Sequence, residues 1–189
     1  MNAAANALPA RHPLTVTDFH KMGETGILPL DARVELINGE IIDMAPIGSP
    51  HAGKVNRLVS VLTEATGKAA IVAVQNPIVL GDLSEPQPDI AVLRPRADFY
   101  EHAHPRANDV LLLIEVADTT AHYDREVKIP LYARHGIVEV WLLDLERGQL
   151  EIYREPSAEG YRQVLTPEHH TRIAPTALPA ISMAVADIL

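Results

Sequence analysis

The chain predicts an α/β fold built on a mixed sheet flanked by helices, with an N-terminal hairpin and a C-terminal β-meander. Three observations carry this. Apolar runs of strand length alternate with two segments whose apolar residues recur at helical spacing. The run Asp109–Val116 is apolar almost throughout, as a strand buried on both faces must be. Asn38-Gly39 lies between strand-forming residues, the signature of a tight hairpin.

At 189 residues the chain can bury a continuous core without staples, and one domain is expected over 14–189 behind a flexible tail of 1–13. Thr15–Met22 reads as a short helix capped by Thr17 and ended by Gly23 or Gly26. Arg33–Met44 is the hairpin. Alternation sets Val34 and Leu36 on one face, Glu35 and Ile37 on the other. Ser49-Pro50 opens a helix to about Thr66, with Val55, Leu58, Val59 and Leu62 as its buried stripe. Ala69–Leu80 is one strand or two, broken near Asn76-Pro77, where the proline suggests an edge position or a bulge. Pro88–Leu93 is a short buried strand. Residues 94–109 form a charged excursion bearing Arg94, Arg96 and Arg106, and Asp109–Val116 is the central strand. A helical segment follows to about His135, and Pro130 either starts it near Ile129 or kinks it. Val138–Asp144, Gln149–Tyr153 and Tyr161–Leu165 make the meander, and Ala177–Leu189 closes the chain with a loop and short helix. There is no internal repeat.

Composition narrows the function. Hydrophobic content of 47% and mean hydropathy +0.03 indicate a soluble globular chain. The absence of cysteine excludes a disulfide framework, a zinc–thiolate site and a thiol nucleophile. There is no signal-peptide pattern, and no apolar run approaches the roughly 18 residues of a membrane span. The expected setting is cytoplasmic. A net charge of −9 argues against a strong, constitutive DNA binder, because phosphate neutralisation dominates such affinity. An acidic chain can still act on DNA where basic residues cluster and metal ions offset its carboxylates.

The candidate chemistry lies between Gln87 and Asp144. Asp89 opens one strand and Glu115 sits within the next apolar run. If those strands pair, the two carboxylates can share a hard cation such as Mg2+, with the backbone carbonyl of Val116 as a third oxygen. Lys128 could then orient the attacking water or stabilise the developing charge. Structural readings stand beside these: Asp89 as a strand cap, Glu115 paired to an arginine, and Lys128 paired to Asp124 at i,i+4. A carboxylate among so many aliphatics is costly without a partner or a cleft, which favours the functional reading of Glu115. Glu35 reads equally as a solvent-facing edge residue. His51, in the first turn of its helix, reads as solvated or capping, and the helix dipole disfavours its protonated form.

VELINGEI at 34–41, SPH at 49–51, QPDIAVL at 87–93, LLLIEVADTT at 111–120, DREVKIPLYARHGIVEVWLLD at 124–144 and LPAI at 178–181 follow one another in this order. Together they resemble the Uma-two family of bacterial restriction-endonuclease-like proteins, within the PD-(D/E)XK nuclease superfamily, over nearly the whole chain from about residue 15. The resemblance implies a restriction-endonuclease-like fold and hydrolysis of nucleic acid, DNA foremost, with Mg2+ or Mn2+. It implies metal-binding roles for Asp89 and Glu115 and a catalytic role for Lys128, and adds Glu35 and His51 as further members of the site. The superfamily's usual lysine two residues after the acid falls here at Ala117, so Lys128 looks like its relocated substitute. Asp118 stands where many relatives carry serine; it could weaken phosphate approach or recruit a second metal. A nuclease fold serving as a binding module with feeble or no catalysis is the alternative. A homodimer is expected from architecture, since one small site cuts one strand.

Overall fold

The central strand β5 (Val110–Ala117) is buried along its whole length, and the remaining elements are arranged around it. The structure, a computed structural model, describes residues 11–29 and 31–189. Most of the tail expected at 1–13 lies outside the described residues; Arg11, within them, pairs with Glu40.

In chain order the elements before β5 are α1 (Val16–Glu24), β1 (Val34–Ile37), β2 (Glu40–Asp43), α2 (Ser49–Thr66), β3 (Ile71–Val74) and β4 (Ile90–Leu93). After it come α3 (Ala121–Tyr123), a π-helical turn at Asp124–Lys128, α4 (Ile129–Arg134), β6 (Glu139–Asp144), β7 (Gln149–Ser157) and β8 (Gly160–Leu165). The chain closes with β9 (Arg172–Ile173), β10 (Met183–Ala184) and α5 (Val185–Ile188). Six strands form one sheet in the order β3-β4-β5-β6-β7-β8. Only β5 and β6 run parallel, because only they are joined through a helical crossover long enough to return the chain to the same end. The sheet is therefore mixed, with β3 at one edge as Pro77 suggested, and with β6–β8 as the meander.

Alternation along β5 explains why both faces of the sheet are covered. Leu112, Ile114 and Val116 face α2, α5 and the C-terminal segment, in one apolar cluster with Leu58, Leu62 and Trp141. Leu113 and Ala117 face α4 and the hairpin, in a second cluster with Leu131, Tyr132 and Ile37. Glu115 shares the parity of Leu113 and Ala117, so its carboxylate projects toward α4. On α2, Val55, Leu58 and Leu62 are buried at helical spacing; each leucine contributes about 1.5–3 kcal/mol by leaving water. Leu62→Ala would remove about 2–5 kcal/mol.

Several local expectations are corrected. The cap of α1 is Thr15, not Thr17: its hydroxyl accepts from Asp18 N at 3.1 Å, and Asp18 Oδ2 accepts from Thr15 N at 3.0 Å. The reciprocal pair satisfies two donors that Thr17, already helical, could not. The strand read at Ala69–Leu80 is only Ile71–Val74, because Gln75 turns to a left-handed φ of 50° before Asn76-Pro77 is reached. The hairpin turn forms as read, with Asn38 at φ 50° and Gly39 at φ 81°, but β1–β2 is a separate two-stranded sheet. Of the two readings after β5, the regular helix does begin at Ile129, but the segment leading into it is π-wound. The chain passes through a π turn in which Ile129 N–H donates to Asp124 O, and Pro130 opens α4 in its first turn, where a missing N–H is harmless.

Candidate active site

A cleft of about 260 Å³ opens between the hairpin, the start of α2, the end of β5 and the π turn. Glu35, His51, Asp89, Glu115, Val116 and Lys128 all line it, so the fold brings together every site residue named from the sequence.

Asp89 stands immediately before β4 and is held from three sides. Its Oδ2 accepts from Val116 N at 2.9 Å, and its Oδ1 accepts from Gln75 Nε2 at 3.2 Å and lies 3.0 Å from His51 Nε2. Burial alone would raise its pKa; the hydrogen bond and charge of His51, with Val116 N–H and Lys128, outweigh burial and hold it below the usual carboxylate value. The same contact overturns the expectation for His51. Its hydrogen bond to Asp89 raises the imidazole pKa against both burial and the helix end, because a carboxylate at 3.0 Å outweighs a partial dipole charge. His51 is neither solvated nor a cap. Asp89 does serve as a cap as well: the β4–β5 ladder ends at Ile90–Ile114, and the Asp89 carboxylate takes the Val116 N–H beyond it.

Glu115 is 3% exposed and has no arginine partner. Its Oε1 accepts from Tyr132 Oη at 2.5 Å and lies 2.9 Å from Lys128 Nζ; its Oε2 accepts from Asp89 N at 3.4 Å. Lys128 Nζ also lies 3.5 Å from Glu35 Oε2, which accepts from Gln87 N at 3.1 Å. Glu35 is thus 4% exposed and part of the site, not a solvent-facing edge residue. The π turn gives Asp124 to Thr120, whose hydroxyl donates at 2.8 Å, so the i,i+4 pair with Lys128 does not form. Asp124 still adds a buried charge, with a pKa raised by burial.

Four carboxylates, Glu35, Asp89, Glu115 and Asp124, therefore crowd one ammonium. Their attraction outweighs burial and keeps Lys128 protonated above its ordinary value. Lys128 with His51, which pairs with Asp89, leaves the carboxylates in excess in a low-dielectric site. Burial, followed by the repulsion of Asp124 and Asp89, pushes Glu115 up to about 8 against the pull of Lys128.

The donor set fits a hard dication. Asp89 Oδ2 has one hydrogen-bond donor and Glu115 Oε2 only a long one, so both keep lone pairs. The carbonyl of Val116 lies on the side where the ladder to β4 has stopped. Oxygen donors of this kind suit magnesium or manganese.

Sequence reading missed Gln75, Gln87, Tyr123 and Tyr132. Gln87 and Tyr132 lay within quoted motifs and could have been found there; Gln75 depends on a left-handed turn that its residue type does not announce. Tyr123 lines the cleft with a buried hydroxyl that has no hydrogen-bond partner, its pKa pushed up to about 12 by burial and Glu35. Asp118, Asp43 and Arg33 also line the cleft. Among the described residues, no helix is long and apolar enough to cross a membrane.

Comparison with curated proteins gives no match. A solved structure described as "a putative nuclease belonging to DUF820", from Anabaena variabilis ATCC 29413, is similar in fold. It has a TM-score of 0.70 and 21% identity, covering 93% of this chain and 97% of that one. The profile of the Uma2 family, described as "Putative restriction endonuclease", matches residues 16–186. The chain belongs to the Uma2 family.

Proposed function

We propose that the protein is a divalent-metal-dependent endonuclease that hydrolyses phosphodiester bonds in DNA. The observation that carries this is Glu115: a buried carboxylate beside Asp89 and Lys128, opening on a cleft rather than sealed in the core. Asp89, Glu115 and the Val116 carbonyl would hold Mg2+ or Mn2+, which supplies an activated water and charge stabilisation at the scissile phosphate. Lys128 Nζ, fixed by Glu115 and Glu35, is placed to orient that water and to stabilise charge on the phosphoryl oxygens. His51 holds Asp89 in place and keeps it ionised. Glu35, tied to Gln87 N, positions Lys128 from its other side. We place the enzyme in the cytoplasm, in keeping with a chain without cysteine. We expect it to pair as a homodimer: β8 is an edge strand with Val164 and Leu165 exposed.

The test is incubation of the purified chain with supercoiled plasmid and with single-stranded DNA, in Mg2+ and in Mn2+. Metal-dependent nicking that disappears in both Asp89→Asn and Glu115→Gln is expected. Nicking that survives in both variants would rule out the assigned site. A second reading, a nuclease fold with weak or no catalysis that binds nucleic acid or a protein partner, has its own support: Asp118 and Asp43 line the cleft of a chain already at −9, which disfavours phosphate approach to the catalytic groups. DNA retained on a gel without any cleavage would favour that binding module.

A further inference from the structure

Away from this cleft, the described residues hold a second group of metal-capable side chains. The ligand atoms of His20, Glu85 and His104 all lie within 4.8 Å of one another. They come from three segments distant in sequence: α1, the turn that leads to β4, and the excursion between β4 and β5. His20 Nε2 lies 2.8 Å from Glu85 Oε2, and the rings of His20 and His104 stand edge to face with centroids 6.2 Å apart.

The carboxylate is the fixed member. Glu85 is 4% exposed, and its backbone is pinned to β1 in both directions, with Glu85 N donating to Leu36 O at 2.7 Å and Leu36 N to Glu85 O at 3.4 Å. Both imidazoles are exposed. A histidine on a buried glutamate is by itself an ordinary hydrogen bond. The third donor, His104, makes the difference: two imidazoles and one carboxylate are a set that zinc takes in sites that leave a fourth position to water. With separations up to 4.8 Å, a point exists within about 2.8 Å of all three atoms, against zinc bonds of roughly 2.0–2.2 Å. Movements of under about 1 Å, within reach of two exposed histidines, close the difference.

The surroundings give such an ion a structural task. Helix α1 has no buried residue, so polar links such as Val16 N to Asp82 O at 2.8 Å hold it to the body. The excursion is held within itself, Tyr100 Oη donating to Arg94 O at 2.9 Å and Arg96 lying over the Tyr100 ring, so its link to the body falls to residues such as His104. Glu85 is also two residues from Gln87, whose N–H holds Glu35 in the cleft. We infer that His20, Glu85 and His104 form a zinc site, completed by water, that staples α1 and the excursion to the turn before β4. The inference does not depend on the nuclease reading.

The test uses the full chain, stripped of metal and titrated with Co2+ as a visible probe, then with Zn2+. Wild type and Asp89→Asn are both expected to give a Co2+ absorption band that Zn2+ bleaches. His20→Ala and His104→Ala, which truncate exposed side chains, are expected to lose the band and at least ten-fold in Co2+ affinity, with far-ultraviolet circular dichroism unchanged. Zinc should raise the melting temperature of Asp89→Asn by several degrees, and not that of Asp89→Asn with His104→Ala. A band absent from Asp89→Asn but present in His104→Ala would place the ion in the cleft and overturn the assignment. No band in any protein would overturn it as well. Nicking with Mg2+ is scored separately, so failure of either proposal is seen without the other.

Discussion

Glu115→Gln probes the charge balance of the cleft directly. With a folded pKa of about 8 against an ordinary 4.5, the folded protein keeps a proton that the unfolded chain releases. Above pH 4.5 the unfolded state gains by ionising while the folded state does not. Stability therefore falls as pH rises, by about 1.4 kcal/mol per pH unit for this group, until the folded carboxyl ionises near pH 8. Glutamine imitates the protonated acid: its carbonyl oxygen can still accept from Tyr132 and Lys128, and it has no proton to release on unfolding. Urea melts in EDTA at pH 5, 6, 7 and 8 should show the stability difference moving steadily toward the variant, by a few kcal/mol in all. His51, Asp89 and the other titrating groups are common to both proteins and largely cancel. Parallel stability curves for wild type and Glu115→Gln over this range would refute the reasoning, because Glu115 would then ionise alike in both states.

The other perturbations separate charge from packing. Lys128→Ala leaves Glu35 and Glu115 without the ammonium that both contact, and should cost about 3–5 kcal/mol at pH 7 by chemical denaturation; a melt of this variant separates loss of cleavage from loss of fold. Tyr132→Phe removes the 2.5 Å hydrogen bond that favours ionised Glu115, so Mg2+ affinity at pH 7 should fall about five- to ten-fold by calorimetry. Arg125 donates to Asp144 at 2.6 Å and to Glu151 at 2.7 Å and 3.1 Å, and Arg125→Ala should cost about 2 kcal/mol at pH 7. Both acids have depressed folded pKa values, so that stability is present above the ordinary carboxylate range and lost as pH falls below it; the two proteins' melts should converge as the medium is acidified through that range. Gly39→Ala forces a side chain onto φ 81° and into Pro13, and should lower stability by about 1–3 kcal/mol in a thermal melt.

The parts of the fold legible in the sequence were those set by local periodicity. The apolar run of β5, the stripe of α2 and the Asn38-Gly39 turn each state their conformation within a few residues. The fold class follows from their order. What was not legible depended on tertiary partners. Glu35 alternates on its strand like any edge residue, and only the approach of Gln87 and Lys128 buries it. His51 was judged by its own helix, whereas its ionisation is governed by Asp89, which lies 38 positions along the chain. Thr15 and Thr17 are equally good caps by residue type; the choice fell to the one with Asp18 three residues on. The π turn was invisible because Pro130 offers several ways out of a regular helix, and packing of Lys128 against the strand acids selects one.

The charge of the chain and the proposed anionic substrate can be reconciled within the same cleft. Lys128 is already engaged by Glu115 and Glu35, so it adds little free positive potential for an incoming phosphate. The proton retained on Glu115 lessens the repulsion only until its carboxylate is needed as a metal ligand. Under the proposed chemistry Asp89, Glu115 and the Val116 carbonyl would hold a dication, which would supply the positive charge that the side chains lack. Magnesium also completes its shell readily with substrate phosphate oxygens. On that proposal metal and nucleic acid would favour each other's binding, and the acidic surface would become a source of discrimination: without the ion, the cleft would repel a phosphate polymer.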